Sequence, residues 1–267
     1  EDVEEYFLDK AASESVAALR NLDRLESKQS ESRSAPAAPL KTVTPQQAAS
    51  RKLKFSATKT KELAQALYEK GHITYMRTDS PNLSPEAIES IRSYCSEKGL
   101  SVVDSPRTWK AKGSAQEAHE AIRPTHIEAE DAGETEEHKA LYRFIRLRAL
   151  MSQLADAVYS VNALQLGADV NGKQALFEAK GKTLLAPGWK VLAKEDGNGS
   201  ADDGEKDGDD ANNPVPVMKA GSKVTAISGK LLTKKTKPPT RYTVDSFVGE
   251  LERRGIGRPA TYAAIME

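Results

Sequence analysis

The sequence predicts an α+β fold on three observations. Capped amphipathic helices fill the middle of the chain, a two-residue alternation replaces them after Asp156, and glycines punctuate the alternating part. Val16, Leu19, Leu22 and Leu25 recur every three residues, a mediocre helical stripe within Glu1 to Lys28. Glu26 to Ala38 is polar and Ser/Ala/Pro-rich and reads as a linker. Thr44 before Pro45 is an N-cap followed by a first-turn proline, which opens a helix through Gln46 to Ala49. Ser56 or Thr58 starts the next helix, Leu63, Ala66 and Leu67 form its apolar face, and Gly71 stops it.

His72 to Arg77 is β-rich and reads as a short extended segment, followed by turn chemistry at Asp79-Ser80-Pro81-Asn82. Ser84 and Pro85 then cap a helix whose buried stripe is Ile88, Ile91, Tyr94 and Cys95, ended by Gly99. After a loop to about Gly113, a further helix covers about Glu137 to Gln153. Leu141, Phe144, Ile145 and Leu147 face inward there, and Lys139, Arg143, Arg146 and Arg148 make it cationic. Strand alternation marks Val158 to Leu166, Leu176 to Lys180 and Lys223 to Ile227, with Gly172, Gly181, Gly188 and Gly221 between or within them. These predict a small antiparallel sheet. The stretch 195–214 is acidic and Gly/Asn/Asp-rich, and is expected to be a disordered loop within it. A last helix runs from a Thr243 cap to Arg254, and a glycine-flanked turn leads into another.

Charge placement says more than net charge. Lys+Arg and Asp+Glu are 39 each among 267 residues, a formal net charge of zero. The 195–214 stretch holds eight acids and one lysine, so the rest of the chain is basic and compatible with a polyanionic partner. Cys95 is the only cysteine, which excludes an intrachain disulfide and a cysteine-cluster metal site and favours a reducing compartment. No apolar run approaches the ~18 residues of a membrane span. No P-loop or Rossmann glycine fingerprint is present, and His72, His119, His126 and His138 lack zincin spacing. ATP use and zinc catalysis are therefore not expected. Opening without Met and stopping within a helical pattern at Ile265-Met266-Glu267, the chain reads as a piece of a larger protein.

Three constellations could carry chemistry. In an extended Thr74-Tyr75-Met76-Arg77-Thr78-Asp79-Ser80, Tyr75 and Arg77 share a face. A phenol with its ordinary pKa near ~10 is a poor nucleophile. A guanidinium beside it favours tyrosinate and stabilises charge on a five-coordinate phosphorus. The plain alternative is a half-buried core tyrosine beside a solvated arginine. Gln116 to Thr125 (QEAHEAIRPT) places His119 and Arg123 where a phosphodiester could bind, with His119 able to pass a proton to a leaving sugar oxygen; its plain alternative is a surface histidine among glutamates. Arg253 to Tyr262 (RRGIGRPATY) offers glycines, arginines and a helix start to an anion, or else is a helix cap and structural turn.

Taken in order, these segments resemble the type IA DNA topoisomerases, bacterial topoisomerase I branch. The similar stretches are TPQQAASRKL at 44–53, AQALYEKGHITYMRTDSPNLS at 64–84, QEAHEAIRPT at 116–125 and PPTRYTVDSFVGELERRGIGRPATYAAI at 238–265. Methionine in Tyr75-Met76-Arg77 favours that branch. The resemblance implies that Tyr75 attacks single-stranded DNA to form a 5′-phosphotyrosine, that the other strand passes, and that religation relaxes negatively supercoiled DNA without ATP. It implies catalytic roles for Tyr75, Arg77, His119 and Glu69, and DNA contacts from Thr74, Asp79, Arg123, Arg258 and Thr261, with no metal ligand in this chain. Mg2+ would be bound by an acidic domain that the chain lacks, so the chain alone is expected to turn over little. The alternative is a non-catalytic module that binds single-stranded nucleic acid.

The same resemblance implies a toroidal core. Residues 1–39 and 157–236 would be parts of a β-rich hinge domain, 40–156 a helical lid carrying the tyrosine, and 237–267 the start of a DNA-gripping base domain. On that reading Val16 to Leu25 becomes strand. DNA is the expected partner, without a membrane, for a monomer in a bacterial nucleoid or an organelle.

Overall fold

In a computed structural model of the chain, residues 10–42, 53–110, 119–170, 172–193, 214–219, 221–233, 235–257, 261 and 265 are described. They form six helices and four strands: α1 (Lys10–Ala17), β1 (Asn21–Ser34), α2 (Ala57–Glu69), α3 (Pro85–Glu97), α4 (Glu136–Ser152), β2 (Ala157–Val170), β3 (Lys173–Ala186), α5 (Lys190–Ala193), β4 (Lys223–Thr225) and α6 (Val244–Arg254). The expected helix at Thr44, the acidic 195–214 loop but for its last residue, and Arg258 lie outside the described residues.

Two compact units divide the chain. The first takes Glu1–Arg33, Val158–Ala186 and Asp207–Pro239, and the second Ser34–Ala157, Pro187–Lys206 and Thr240–Glu267. The first unit holds a four-stranded sheet in the order β3-β2-β1-β4. β2 and β3 form a long antiparallel hairpin from Val158↔Ala186 to Val170↔Lys173. β4 pairs with the start of β1 through Leu22↔Val224. Leu164 and Leu166, two apart and so on one face, pack with Leu22 as the core of this sheet.

Here the sequence expectations need correcting. Val16 to Leu25 is neither one helix nor one strand: α1 ends at Ala17 and β1 begins at Asn21. The supposed polar linker 26–38 is β1 as far as Ser34. Its composition misled because most of its side chains are exposed, so little apolar alternation is needed to hold it. Gly181 does not interrupt the hairpin but pairs with Asn162 inside it.

The second unit is built around α4. Thr135 caps it by accepting the His138 N–H, and Glu136 and Glu137 complement the dipole of its first turn. One core joins its Leu141, Tyr142, Phe144 and Ile145 to Leu63, Ala64 and Leu67 of α2 and to Ile73 and Met76. A second joins Leu147, Leu150 and Met151 to Ala87, Ile91 and Cys95 of α3 and to Leu192 of α5. A helix with apolar partners on opposite sides is buried nearly all round. The expected cationic face is therefore wrong in part: Arg146 and Arg148 are buried, while Arg143 is exposed. α5 belongs to this unit, since Leu192 sits in its second core and the Trp189 indole N–H donates to the Ser34 carbonyl.

α2 and α3 share one construction. Ser56 and Ser84 each accept a backbone N–H two or three residues into the helix, from Lys59 and Ala87. At the other end Gly71 donates to the Tyr68 carbonyl and His72 to that of Leu67, the paired bonds of a Schellman cap. That cap turns the chain sharply into 72–80, which places the tyrosine run. Gly71 has φ +73° with open space around a would-be Cβ, whereas at Gly188 (φ +50°) a Cβ would lie 2.2 Å from the Asp156 carbonyl oxygen. Gly71→Ala is expected to cost about 1–2 kcal/mol, the strain of one left-handed residue. Gly188→Ala should cost clearly more because backbone must also move. Urea midpoints of the two variants, compared at equal slope, check the ordering.

Candidate active site

The 72–80 run is not a regular strand: it bends at His72, Thr74, Met76 and Arg77 around one bridge residue, Ile73, and burial alternates from Tyr75 to Ser80. Tyr75, Arg77 and Asp79 are exposed, while Ile73, Met76, Thr78 and Ser80 are buried. Ile73 and Met76 anchor it in the first α4 core. Two neighbouring segments grip it from the main chain. On one side Thr42 N–H donates to the Thr78 carbonyl at 2.9 Å. The buried Thr42 hydroxyl lies 2.9 Å from the Met76 carbonyl oxygen and accepts from the Thr78 N–H at 2.9 Å. On the other, Thr74 N–H donates to the Arg123 carbonyl and Thr125 N–H to that of His72. The Thr74 hydroxyl donates to the Ala121 carbonyl and accepts the Arg123 N–H.

These bonds aim Tyr75 outward. Its ring is 40% exposed and sits between two aromatic neighbours. The Tyr68 ring, on the last turn of α2, meets it edge-on with centroids 5.3 Å apart and planes at 65°. The His119 ring meets it at 5.8 Å and 70°. T-shaped pairs of this kind favour one ring orientation over others. Arg77 and Asp79 are exposed as well, and neither makes an ion pair among the described residues. Among the described residues Arg77 is thus an exposed cation without an ion pair, two positions along the chain from an accessible phenol.

Tyr142, Tyr94 and Tyr159 are unsuited to attack, whereas Tyr68 and Tyr242 are exposed. The Tyr142 hydroxyl donates to the His126 and Ala129 carbonyls, and burial pushes its pKa up. Tyr94 accepts from Arg146, and Tyr159 is buried. The lone thiol is excluded too, since burial raises Cys95 to about 11.

The remaining expected site residues separate by partner. His119 is brought to Tyr75. Glu69 is exposed and accepts from Gln65 on its own helix at 2.6 Å. Thr74 is committed to the main-chain bonds above. Arg123 forks onto Glu120 through two bonds of 2.8 Å and also donates to the Pro124 carbonyl, so its guanidinium is engaged internally. Glu120 in turn accepts the Ser84 N–H, tying the His119 segment to the start of α3. Thr261 is exposed at a turn whose carbonyl accepts from Ile265. Tyr68 was not singled out from the sequence. Its place in the last turn before Gly71 is the signal that could have found it, because that turn points the same way as the run it feeds.

Among the described residues no group of three or more His, Cys, Asp or Glu could hold a metal ion. The resemblance assigns Mg2+ to another domain, and the chemistry below is derived from this chain's own residues.

Comparison with known proteins assigns the chain to a class. A family profile described as DNA topoisomerase matches residues 2–267. The chain is 46% identical over 264 residues to a plasmid DNA topoisomerase I of Xylella fastidiosa, covering 98% of this chain and 40% of that protein. It is 40% identical to DNA topoisomerase 1 of Streptomyces coelicolor, covering 97% of this chain and 28% of the relative. A solved full-length topoisomerase I from Thermotoga maritima superposes with a TM-score of 0.80 at 32% identity, covering 99% of this chain and 43% of that one. The chain belongs to the DNA topoisomerase family, in the type IA class and its bacterial topoisomerase I branch. It spans less than half the length of these relatives.

Thr42 supplies the test of how the run is held. Thr42→Val keeps the shape but leaves the Thr78 N–H without its side-chain acceptor and removes a donor from the Met76 carbonyl. A loss of about 1–3 kcal/mol is expected, read by urea denaturation.

Proposed function

We propose that this chain supplies the cleaving tyrosine of an enzyme that cuts and reseals single-stranded DNA. The observation that carries the reading is an accessible Tyr75 phenol fixed between two rings, with Arg77 two residues on in a hydrogen-bonded run, exposed and without an ion pair among the described residues.

The Tyr75 oxygen attacks a backbone phosphorus and gives up its proton. A new phosphorus–phenolate bond forms while the bond to the 3′ oxygen breaks, so the 5′ side is held as a phosphotyrosine and the 3′ oxygen takes up a proton to leave as a hydroxyl. Arg77 opposes the charge that builds on the phosphoryl oxygens. His119, in reach of the same ring, serves the leaving oxygen or binds the phosphate. Resealing runs the step backwards. One ester replaces another, which is why relaxation of negatively supercoiled DNA needs no ATP. Passage of the second strand before resealing changes the linking number by one.

Arg258, Asp79 and Thr261 then belong to the DNA-contacting set by resemblance, and Glu69 to the edge of the site. The partner is DNA, single-stranded where it is cut, and the reading goes with a monomer at a bacterial nucleoid or in an organelle. No helix among the described residues is long and apolar enough to cross a membrane.

The test exchanges the matching residues of the Xylella relative for this chain and incubates the product with an end-labelled single-stranded oligonucleotide. A covalent protein–DNA adduct is expected, and Tyr75→Phe should abolish it; an adduct that persists in the Phe variant overturns the assignment. His119→Ala should slow adduct formation about 10²-fold. Tyr68→Ala should slow it by up to about tenfold, the value of an edge-to-face ring pair.

A further inference from the structure

On the α3–α4–α5 side of the helical unit lies a cleft of about 440 Å3, within the size range of small-molecule sites. Leu100, Leu147, Leu150 and Leu192 line its apolar part, and Tyr94, Lys98, Arg143 and Arg146 its polar part. The residue that sets its character is Arg146. It is only 8% exposed, which is rare for a charged side chain without a countercharge. Its Nε donates to the Ile127 carbonyl at 2.8 Å and its Nη2 to the Tyr94 hydroxyl at 2.7 Å, and its guanidinium lies 5.1 Å from the Tyr94 ring centre. No carboxylate pairs with it among the described residues, and Nη1 makes no hydrogen bond yet is not sealed from solvent.

Lys98 stands beside the same ring, 5.6 Å from its centre, and it too has no ion pair among the described residues. Arg143 differs, since Asp131 and Glu136 already face it. Glu130 is the one acid on the cleft and is exposed, where solvent and salt weaken its repulsion. A buried cation without a countercharge is costly, and an anion entering from outside removes that cost. Two unneutralised cations match a doubly charged head better than a carboxylate's single charge, and the leucines match an apolar body.

We propose that this cleft binds a small organic phosphate, a phosphomonoester on an apolar body, with Arg146 and Lys98 on the phosphate and the leucines under the body. The site is separate from the tyrosine run and does not depend on the cleavage reading.

Isothermal titration of the full chain with phenyl phosphate tests it. Saturable binding at one site is expected, weaker with benzoate, absent with uncharged phenol, and reduced by added salt. Lys98→Met should weaken it at least about tenfold, the loss of one charge-assisted contact. Arg146→Met, kept only if its circular dichroism matches the parent, should abolish it. Arg77→Ala, at the tyrosine run, should leave it unchanged. The proposal is overturned if millimolar phenyl phosphate gives no saturable binding, if Lys98→Met binds as the parent does, or if Arg77→Ala removes the binding.

Discussion

The tyrosine site rests on a strand-like run that has no sheet of its own. A regular strand acquires its direction from a ladder of bonds to neighbours of equal length. The 72–80 run has only isolated bridges, Ile73↔Pro124 on one side, and the Leu40↔Ile122 pairing beside it. Its alternation is kept instead by a few side-chain hydroxyls bonding to main chain, chiefly Thr42 and Thr74, and by Ile73 and Met76 in the α4 core. From Tyr75 to Ser80 burial alternates, so a slip of one residue there would bury Tyr75 and Arg77 together and expose Met76. The hydroxyl bonds forbid that slip, since each is specific for one carbonyl or N–H.

Two consequences follow for the chemistry. First, a short run bonded at a few points can present a phenol on a rigid base without burying it. Burial would raise the phenol's pKa, as it does for Tyr142. Second, the groups around Tyr75 come from separate parts of the helical unit: Tyr68 from the end of α2, Arg77 from the run itself and His119 from the segment tied to α3 through Glu120. Each is set by a different local device, a Schellman cap, a period-two run and a carboxylate–N–H bond. The geometry of the site is therefore the geometry of the unit's loops, held by α4 beneath them.

This explains what could and could not be read from the residues in order. Ser56, Ser84, Gly71 and Gly99 mark helix ends by their own stereochemistry, and these were legible. So was a tyrosine and arginine two apart in a short irregular run, both of which prove to be exposed. The split at Ala17 to Asn21 was not, because a stripe recurring every three residues fits a helix and a strand about equally badly. β1 was hidden for a related reason: its polar residues point to solvent on most of its length, and its place is secured by neighbours far away in sequence. Tyr68 escaped notice because its value depends on where the next run is turned, which no single segment states.

Arginine placement shows most sharply why residue type alone underdetermines function here. By composition Arg77, Arg123, Arg143 and Arg146 are equal contributors to a basic chain. In the fold they are four different things. Arg123 is spent on Glu120 and a carbonyl, and it fixes the His119 segment rather than offering charge outward. Arg143 is exposed but balanced by Asp131 and Glu136. Arg146 is buried against Tyr94 with no countercharge, and Arg77 is exposed with none. Attraction for an anion depends on the charge left after internal partners are subtracted and on how far water screens it. By that measure the two residues that matter most lie on different faces of the same unit. One lies two residues from the exposed tyrosine and the other lines a cleft with a leucine floor, so a count of positive residues would have weighted the wrong half of the set.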